Sequence, residues 1–235
     1  ADFVASGLTP GSQIVRFGGF MRDVNLWDMK AFAISHAEAI QLDPQQRLLM
    51  SSASSAMKEG AESLASVKGI NRGVAVAISS AEYLLTLVKF SVQFTPYSSM
   101  HTPSVACGRI SYFFGFTGPS CSVDTACSSS LVCMHFAKTL IHTEESDSSM
   151  ALGTSMDLVA QTSVIFKVSG MLAPDGRCKC LDQAGDGYVR AESMGALVMK
   201  RMCDDDSILL MVSGTCINQD GRSSSLTAPN GPSQQ

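Results

Sequence analysis

Apolar residues along this chain fall into two kinds of run. Gly73-Val-Ala-Val-Ala-Ile-Ser79 is short, continuous and β-branched in part, the pattern of a strand buried in a parallel sheet. Other runs carry helical spacing. Asp43-Pro44-Gln45-Gln46-Arg47 opens one of them: Asp43 can cap it, Pro44 suits the first helical position, and Leu48, Leu49 and Met50 supply its apolar body. This predicts a helix to about Gly60. A helical or irregular stretch runs on to Pro103, and Ser104 to Phe116 is predicted as a helix. Ser120 to Ala126 reads as a strand that passes, with almost no turn, into a helix predicted from Cys127 to about Ile141. That helix holds Leu131, Val132, Met134, Phe136, Ala137, Leu140 and Ile141, apolar nearly all round, which predicts burial on every side. Met150 to Leu158, Gly195 to Met202 and Ile208 to Ile217 are further strand candidates. Leu172 to Arg177 contains Pro-Asp-Gly and reads as a turn; residues 1–26, rich in Gly and Ser, read as irregular. Strands alternating with helices predict an α/β fold with buried parallel strands.

Composition narrows this to one globular unit, since 235 residues at 45% hydrophobic leave ample material for a core. A net charge of −4, with no cluster of lysine or arginine, argues against a nucleic-acid surface. No apolar run approaches the ~20 residues that span a bilayer, and ADFVASGLTPGSQ has neither the basic start nor the apolar centre of a signal peptide. The expected setting is intracellular, cytoplasm or plastid. The chain starts without methionine and stops at NGPSQQ, so a partial sequence is expected. Its cysteines are Cys107, Cys121, Cys127, Cys133, Cys178, Cys180, Cys203 and Cys216. Without a secretory signal they read as reduced thiols, most of them small core hydrophobes. Cys178-x-Cys180 and Cys133-x-His135 lack zinc spacing, so no metal is expected.

One cysteine stands apart. In GPSCSVDTACSSSLVCMHFAK, Cys127 sits where strand meets helix, between Ala126 and the serines 128, 129 and 130. A helix start offers unpaired N–H groups and a partial positive charge, which favour a thiolate and a developing oxyanion. Small neighbours let the backbone turn sharply, as at a nucleophile elbow. The expected chemistry is acyl transfer through a thioester; the plain alternative is a buried, inert thiol. Other polar residues read as structural: Asp43 as a cap, Arg109 and Arg190 as partners of buried carboxylates with Glu192 as a candidate, and Asp204–Asp206 as a solvated turn. Asp124 is not assigned as a base.

Val123-Asp-Thr-Ala-Cys-Ser-Ser-Ser-Leu131 resembles the active-site signature of β-ketoacyl synthases, in particular the ketosynthase domains of modular-type (type I) polyketide synthases. Gly18-Gly-Phe20, Asp43-Pro-Gln-Gln-Arg47, Gly108-Arg-Ile-Ser-Tyr112, Pro174-Asp-Gly-Arg-Cys-Lys179, Asp186-Gly-Tyr-Val-Arg190, Asn218-Gln-Asp-Gly-Arg222 and Thr227-Ala-Pro-Asn-Gly-Pro232 are similar to that family in the same order. The resemblance implies a thiolase-like fold layered α-β-α-β-α. On it, residues 1–203 are most of an N-terminal half whose opening strand is missing, and residues 204–235 begin a C-terminal half. It implies a decarboxylative Claisen condensation in polyketide or fatty-acid biosynthesis, with Cys127 taking the acyl chain from an acyl carrier protein. A malonyl-type extender attacks that chain, the phosphopantetheine stays on the carrier, and this domain binds no cofactor. A homodimer is implied as well. Two family histidines lie beyond the counterpart of Asn230-Gly231-Pro232, and His36, His101, His135 and His142 match neither. The 235 residues alone are therefore expected to be inactive in condensation. Thr154, Ser155, Ala191 and Ser193 stand where the family has glycines, and the family's Thr-Gly pattern is altered around Ser99-Met100-His101. The remaining alternatives are an acyl-holding domain that does not condense, a dimerisation or docking module, and, more distantly, a cysteine protease.

Overall fold

The computed structural model describes residues 15–79, 82–90, 92, 95–203, 208–225 and 228–234. Its helices are α1 (His36–Gln41), α2 (Pro44–Glu59), α3 (Leu64–Val67), α4 (Glu82–Lys89), α5 (Pro103–Phe114), α6 (Ser129–His142) and α7 (Ala160–Val168). The strands are β1 (Arg72–Ala77), β2 (Ser120–Val123), β3 (Ser148–Ser155) and β4 (Ser193–Lys200). They form one sheet in the order β2-β1-β3-β4.

Local chemistry sets the helix ends. Asp43 Oδ1 accepts the Gln45 N–H at 2.8 Å, with Pro44 opening α2, as the sequence leads one to expect. Helix α5 closes on Gly115, whose φ of 73° is left-handed and whose N–H returns to Ser111 O. Gly118 lets the chain cross β1 at close range: a Cβ there would lie 2.5 Å from the Arg72 carbonyl.

The sheet has two unlike faces. Val74 and Val76 of β1 and Met150 and Leu152 of β3 pack with Leu49, Met50, Ala53 and Met57 of α2 and Ala106, Ile110 and Phe114 of α5. On the other face, Ala75, Ala77 and Ala151 pack with Cys133 and Ala137 of α6. Small residues on both sides bring α6 close to the strands, and Gly153 completes the approach, since its absent Cβ would fall 2.5 Å from Ser130 Oγ.

Several expectations need correction. β4 runs antiparallel to β3 (Gly153 opposite Gly195), so only β1–β2 and β1–β3 are parallel. Helix α6 is not buried on every side: Leu131, in its first turn, is 69% exposed, and His142 at its end is exposed as well. The α-helix begins at Ser129 rather than Cys127, which lies in a 3-10 turn, Ala126–Ser128. The described residues between 208 and 217 are irregular; an apolar run becomes a strand only where a neighbour takes up its backbone bonds. The cysteines are mostly exposed, with Cys107 and Cys133 the buried ones and Cys121 intermediate, and none of the eight is in a disulfide. The Asp204–Asp206 turn lies outside the described residues.

Candidate active site

The bend that carries Cys127 is clamped by its own side chains. Asp124 Oδ1 accepts the Ala126 N–H at 3.0 Å. Ser129 Oγ accepts the Thr125 N–H at 2.8 Å and donates to Ala126 O at 2.7 Å. Ser128 Oγ donates to Thr125 O at 2.9 Å. Within this clamp Ala126 adopts φ 55°, a left-handed conformation that costs an L-residue roughly 1–2 kcal/mol. The bonds sustain that strain, and Cys127 stands exposed at the apex while Ser129 behind it is buried.

Parallel strands that end on one side leave a crevice at their C-terminal ends. Here β1 contributes Ala77 and the following Ile78 and Ser79, β3 contributes Gly153 to Ser155, and antiparallel β4 starts at the same edge with Ser193. Together with Cys127 and Met134 they enclose a cleft of about 1090 Å³. Its remaining wall comes from α7 and the chain beyond, with Phe166, Met171, Tyr188 and Arg190. Tyr188 is fixed by two backbone bonds, from its N–H to Met171 O and from the Ala173 N–H to its carbonyl, both 3.0 Å. The turn before it is where Pro-Asp-Gly places it, with Gly176 at φ 74°.

Polar groups at one end of the cleft form a connected set. Arg190 pairs with Asp157 at 2.5 Å and donates to Ser163 Oγ at 2.8 Å. Burial pushes the Asp157 carboxyl up, against the pull of Arg190. The Glu192 carboxylate, expected as a partner for an arginine, instead accepts the Met21 and Asp157 N–H groups at 2.9 and 3.2 Å. The reason is position: Glu192 lies beside the Gly19–Met21 segment, which runs parallel to Ala191. Arg109 does find a carboxylate, Glu38, at 2.7 Å, and also Gln46 at 2.8 Å.

Of the residues singled out in the sequence, the structure brings Asp124, Cys127, Thr154, Ser155, Arg190, Ala191 and Ser193 to this cleft. The four that replace glycines have no positive φ, so their side chains carry no backbone strain. The histidines are elsewhere. His36 and His142 are exposed on helices α1 and α6. His135 Nδ1 lies 3.0 Å from Thr215 Oγ1. His101, in the 3-10 turn Pro96–His101, is buried against the Tyr83 ring, and burial, then Arg109, lowers its pKa. Sequence reasoning missed Glu82 and Asp157, which carry no local motif and meet α7 and Arg190 only through the fold.

A strand-to-helix bend presenting a thiol at the edge of such a sheet fits the thiolase-like class, and the likeness to solved ketosynthases places the protein there. The sequence profile of the β-ketoacyl synthase N-terminal domain matches residues 6–205. Among curated proteins the chain is 40% identical over 232 residues to the spectinabilin polyketide synthase system protein NorC of Streptomyces orinoci, covering 96% of the chain and 10% of that protein. It is 39% identical over 233 residues to the polyketide synthase GfsB of Streptomyces halstedii, covering 96% of the chain and 4% of that protein. The chain thus spans only a small part of the curated relatives it matches. Among solved structures, the ketosynthase from module 6 of the bacillaene synthase of Bacillus subtilis 168 superposes with a TM-score of 0.85 at 33% identity, over 92% of this chain and 38% of that one. An oxazolomycin ketosynthase domain from Streptomyces albus JA3453 gives 0.73 at 33% identity, over 78% of this chain and 33% of that one. The chain belongs to the β-ketoacyl synthase family, and its relatives are the ketosynthase domains of polyketide synthases.

Proposed function

We propose that this chain carries the acyl-accepting site of a condensing enzyme, with Cys127 as nucleophile. The observation that supports it is the exposed thiol at a clamped bend, opening on a cleft with ample apolar wall. The Cys127 sulfur attacks the carbonyl carbon of an acyl thioester carried on the phosphopantetheine of an acyl carrier protein. The oxyanion that forms is met by N–H groups at the helix start, and the carrier's thiolate leaves. A malonyl-type extender on a carrier protein then loses CO₂, and the carbanion left behind attacks the acyl-Cys127 carbonyl. A carbon–carbon bond forms and the sulfur of Cys127 is released.

No histidine of this chain lines the cleft among the described residues. Decarboxylation is assigned to the two histidines that the family resemblance places after Pro232, so the 235 residues by themselves should accept an acyl group without condensing it. The division at residues 203/204, a bound-cofactor-free domain and a homodimer belong to the same proposal. For the dimer, the support is the free edge of β2, which pairs with β1 alone among the described residues. Tyr112, on the neighbouring helix α5, is 90% exposed. The test is condensation by the complete protein, given acyl and malonyl thioesters on carrier protein. Release of CO₂ with a lengthened 3-oxoacyl product, abolished by Cys127→Ala, is the expected result. Acyl uptake without any lengthening would leave the acyl-holding alternative in its place.

A further inference from the structure

Helix α7 is a wall of the cleft held by polar ties more than by packing. Val164 is its buried residue, whereas Ile165 and Val168 are exposed. Its N-cap is Val159, which has no side-chain oxygen to offer the first turn. Glu82, 5% exposed at the start of α4, instead holds the entry to the helix from 76 and 77 residues away, accepting the Leu158 N–H at 2.9 Å and the N–H of the N-cap residue itself at 3.1 Å. Its other oxygen takes the Thr162 hydroxyl at 2.6 Å. Arg190 holds the next part of the helix through Ser163 Oγ at 2.8 Å, with its guanidinium 5.1 Å from the centre of the Phe166 ring. Asp157 anchors that arginine and is itself held through its N–H by Glu192. Glu82, Asp157, Thr162, Phe166 and Arg190 all face the cleft.

A helix locked by a packed core has little choice of position, but one held at its start by hydrogen bonds shifts when those bonds change. We infer that Glu82 and Arg190 are positioning residues that fix α7, and that α7 in turn sets the width of the cleft and so the chain length and branching of the acyl thioester that reaches Cys127. This rests on the reading of Cys127 as acyl acceptor. The acyl group meets Phe166 and Met171, while Glu82, at the cleft wall itself, acts through its hold on the start of α7.

The test compares iodoacetamide with N-octyl iodoacetamide on the complete protein, following alkylation of Cys127 by peptide mapping. Glu82→Ala should raise the ratio of octyl to parent rate about five-fold, the factor that loss of one ordinary hydrogen bond produces. Ser163→Ala, whose side chain is outside the cleft lining, should raise it about two-fold, as loss of a modest hydrogen bond does. Glu82→Gln keeps an acceptor oxygen and should bring the ratio back toward the parent value. A ratio unchanged in Ser163→Ala and in folded Glu82→Ala overturns the inference; should Glu82→Ala not fold, Ser163→Ala decides alone. If iodoacetamide reacts no faster at Cys127 than at exposed Cys178 and Cys180, the nucleophile reading fails, yet the ratio at Cys127 still reports on the wall.

Discussion

At the scale of single residues, the candidate site is legible where chemistry is local. Cys127 could be found because strand, bend, small residues and helix start follow one another within a dozen positions. Glu82 could not, because its three partners lie 76 to 80 positions away and Ala-Glu-Tyr has no signature of its own. Asp43 was legible as a cap but not as a strained acid. It is 1% exposed, its Oδ2 has no partner, and burial raises its pKa to about 6 despite its bond from Gln45 and the nearby Arg47. The folded value thus exceeds the unfolded one, so the folded state binds the extra proton. The stability contributed by protonated Asp43 is full below about pH 4 and is lost as pH rises through about 6. Urea unfolding at pH 5 and pH 7 should show the parent gaining on Asp43→Asn at the lower pH, by on the order of 1 kcal/mol. Parallel pH dependence in the two proteins would show that Asp43 titrates normally.

At the scale of elements, α2, β1, α5 and the β2–α6 joint were readable from period and caps, with ends displaced by a few residues. What failed was whatever depends on a neighbour. The direction of β4 is set by its pairing with β3, and the apolar run of α6 does not tell which of its faces meets the sheet. Helices α1, α3 and α7 carry no prediction, and α4 falls in the stretch left as helical or irregular. Of these, α3 did carry a signal, the reciprocal Ser63–Ser66 cap, whereas α7 has no cap of its own. Close approach of elements is testable through glycine. Gly118→Ala sets a Cβ against the immobile Arg72 backbone and should cost about 1–3 kcal/mol. Gly108→Ala, within α5 and with no atom within 4 Å of the added Cβ, should instead stabilise by up to ~1 kcal/mol. Thermal unfolding of both reads the sign; equal effects would mean that β1 and the segment before β2 are not in contact.

At the scale of the whole molecule, the sheet sets its cleft and its nucleophile at one edge and a bare strand at another. No described helix is long and apolar enough to cross a membrane. The free β2 edge and Tyr112 lead to an expected dimer, and sedimentation of the complete protein at micromolar concentration should give twice the monomer mass; a monomer would leave that edge to another partner. Everything else depends on the sulfur of Cys127 taking an acyl group. Incubation with an acyl N-acetylcysteamine thioester, followed by mass spectrometry of the peptides, reads this out. The acyl mass should appear on the peptide holding Cys127 and vanish in Cys127→Ala. Acylation of Cys178, Cys180, Cys203 or Cys216 in preference to Cys127, or of none of them, would contradict it.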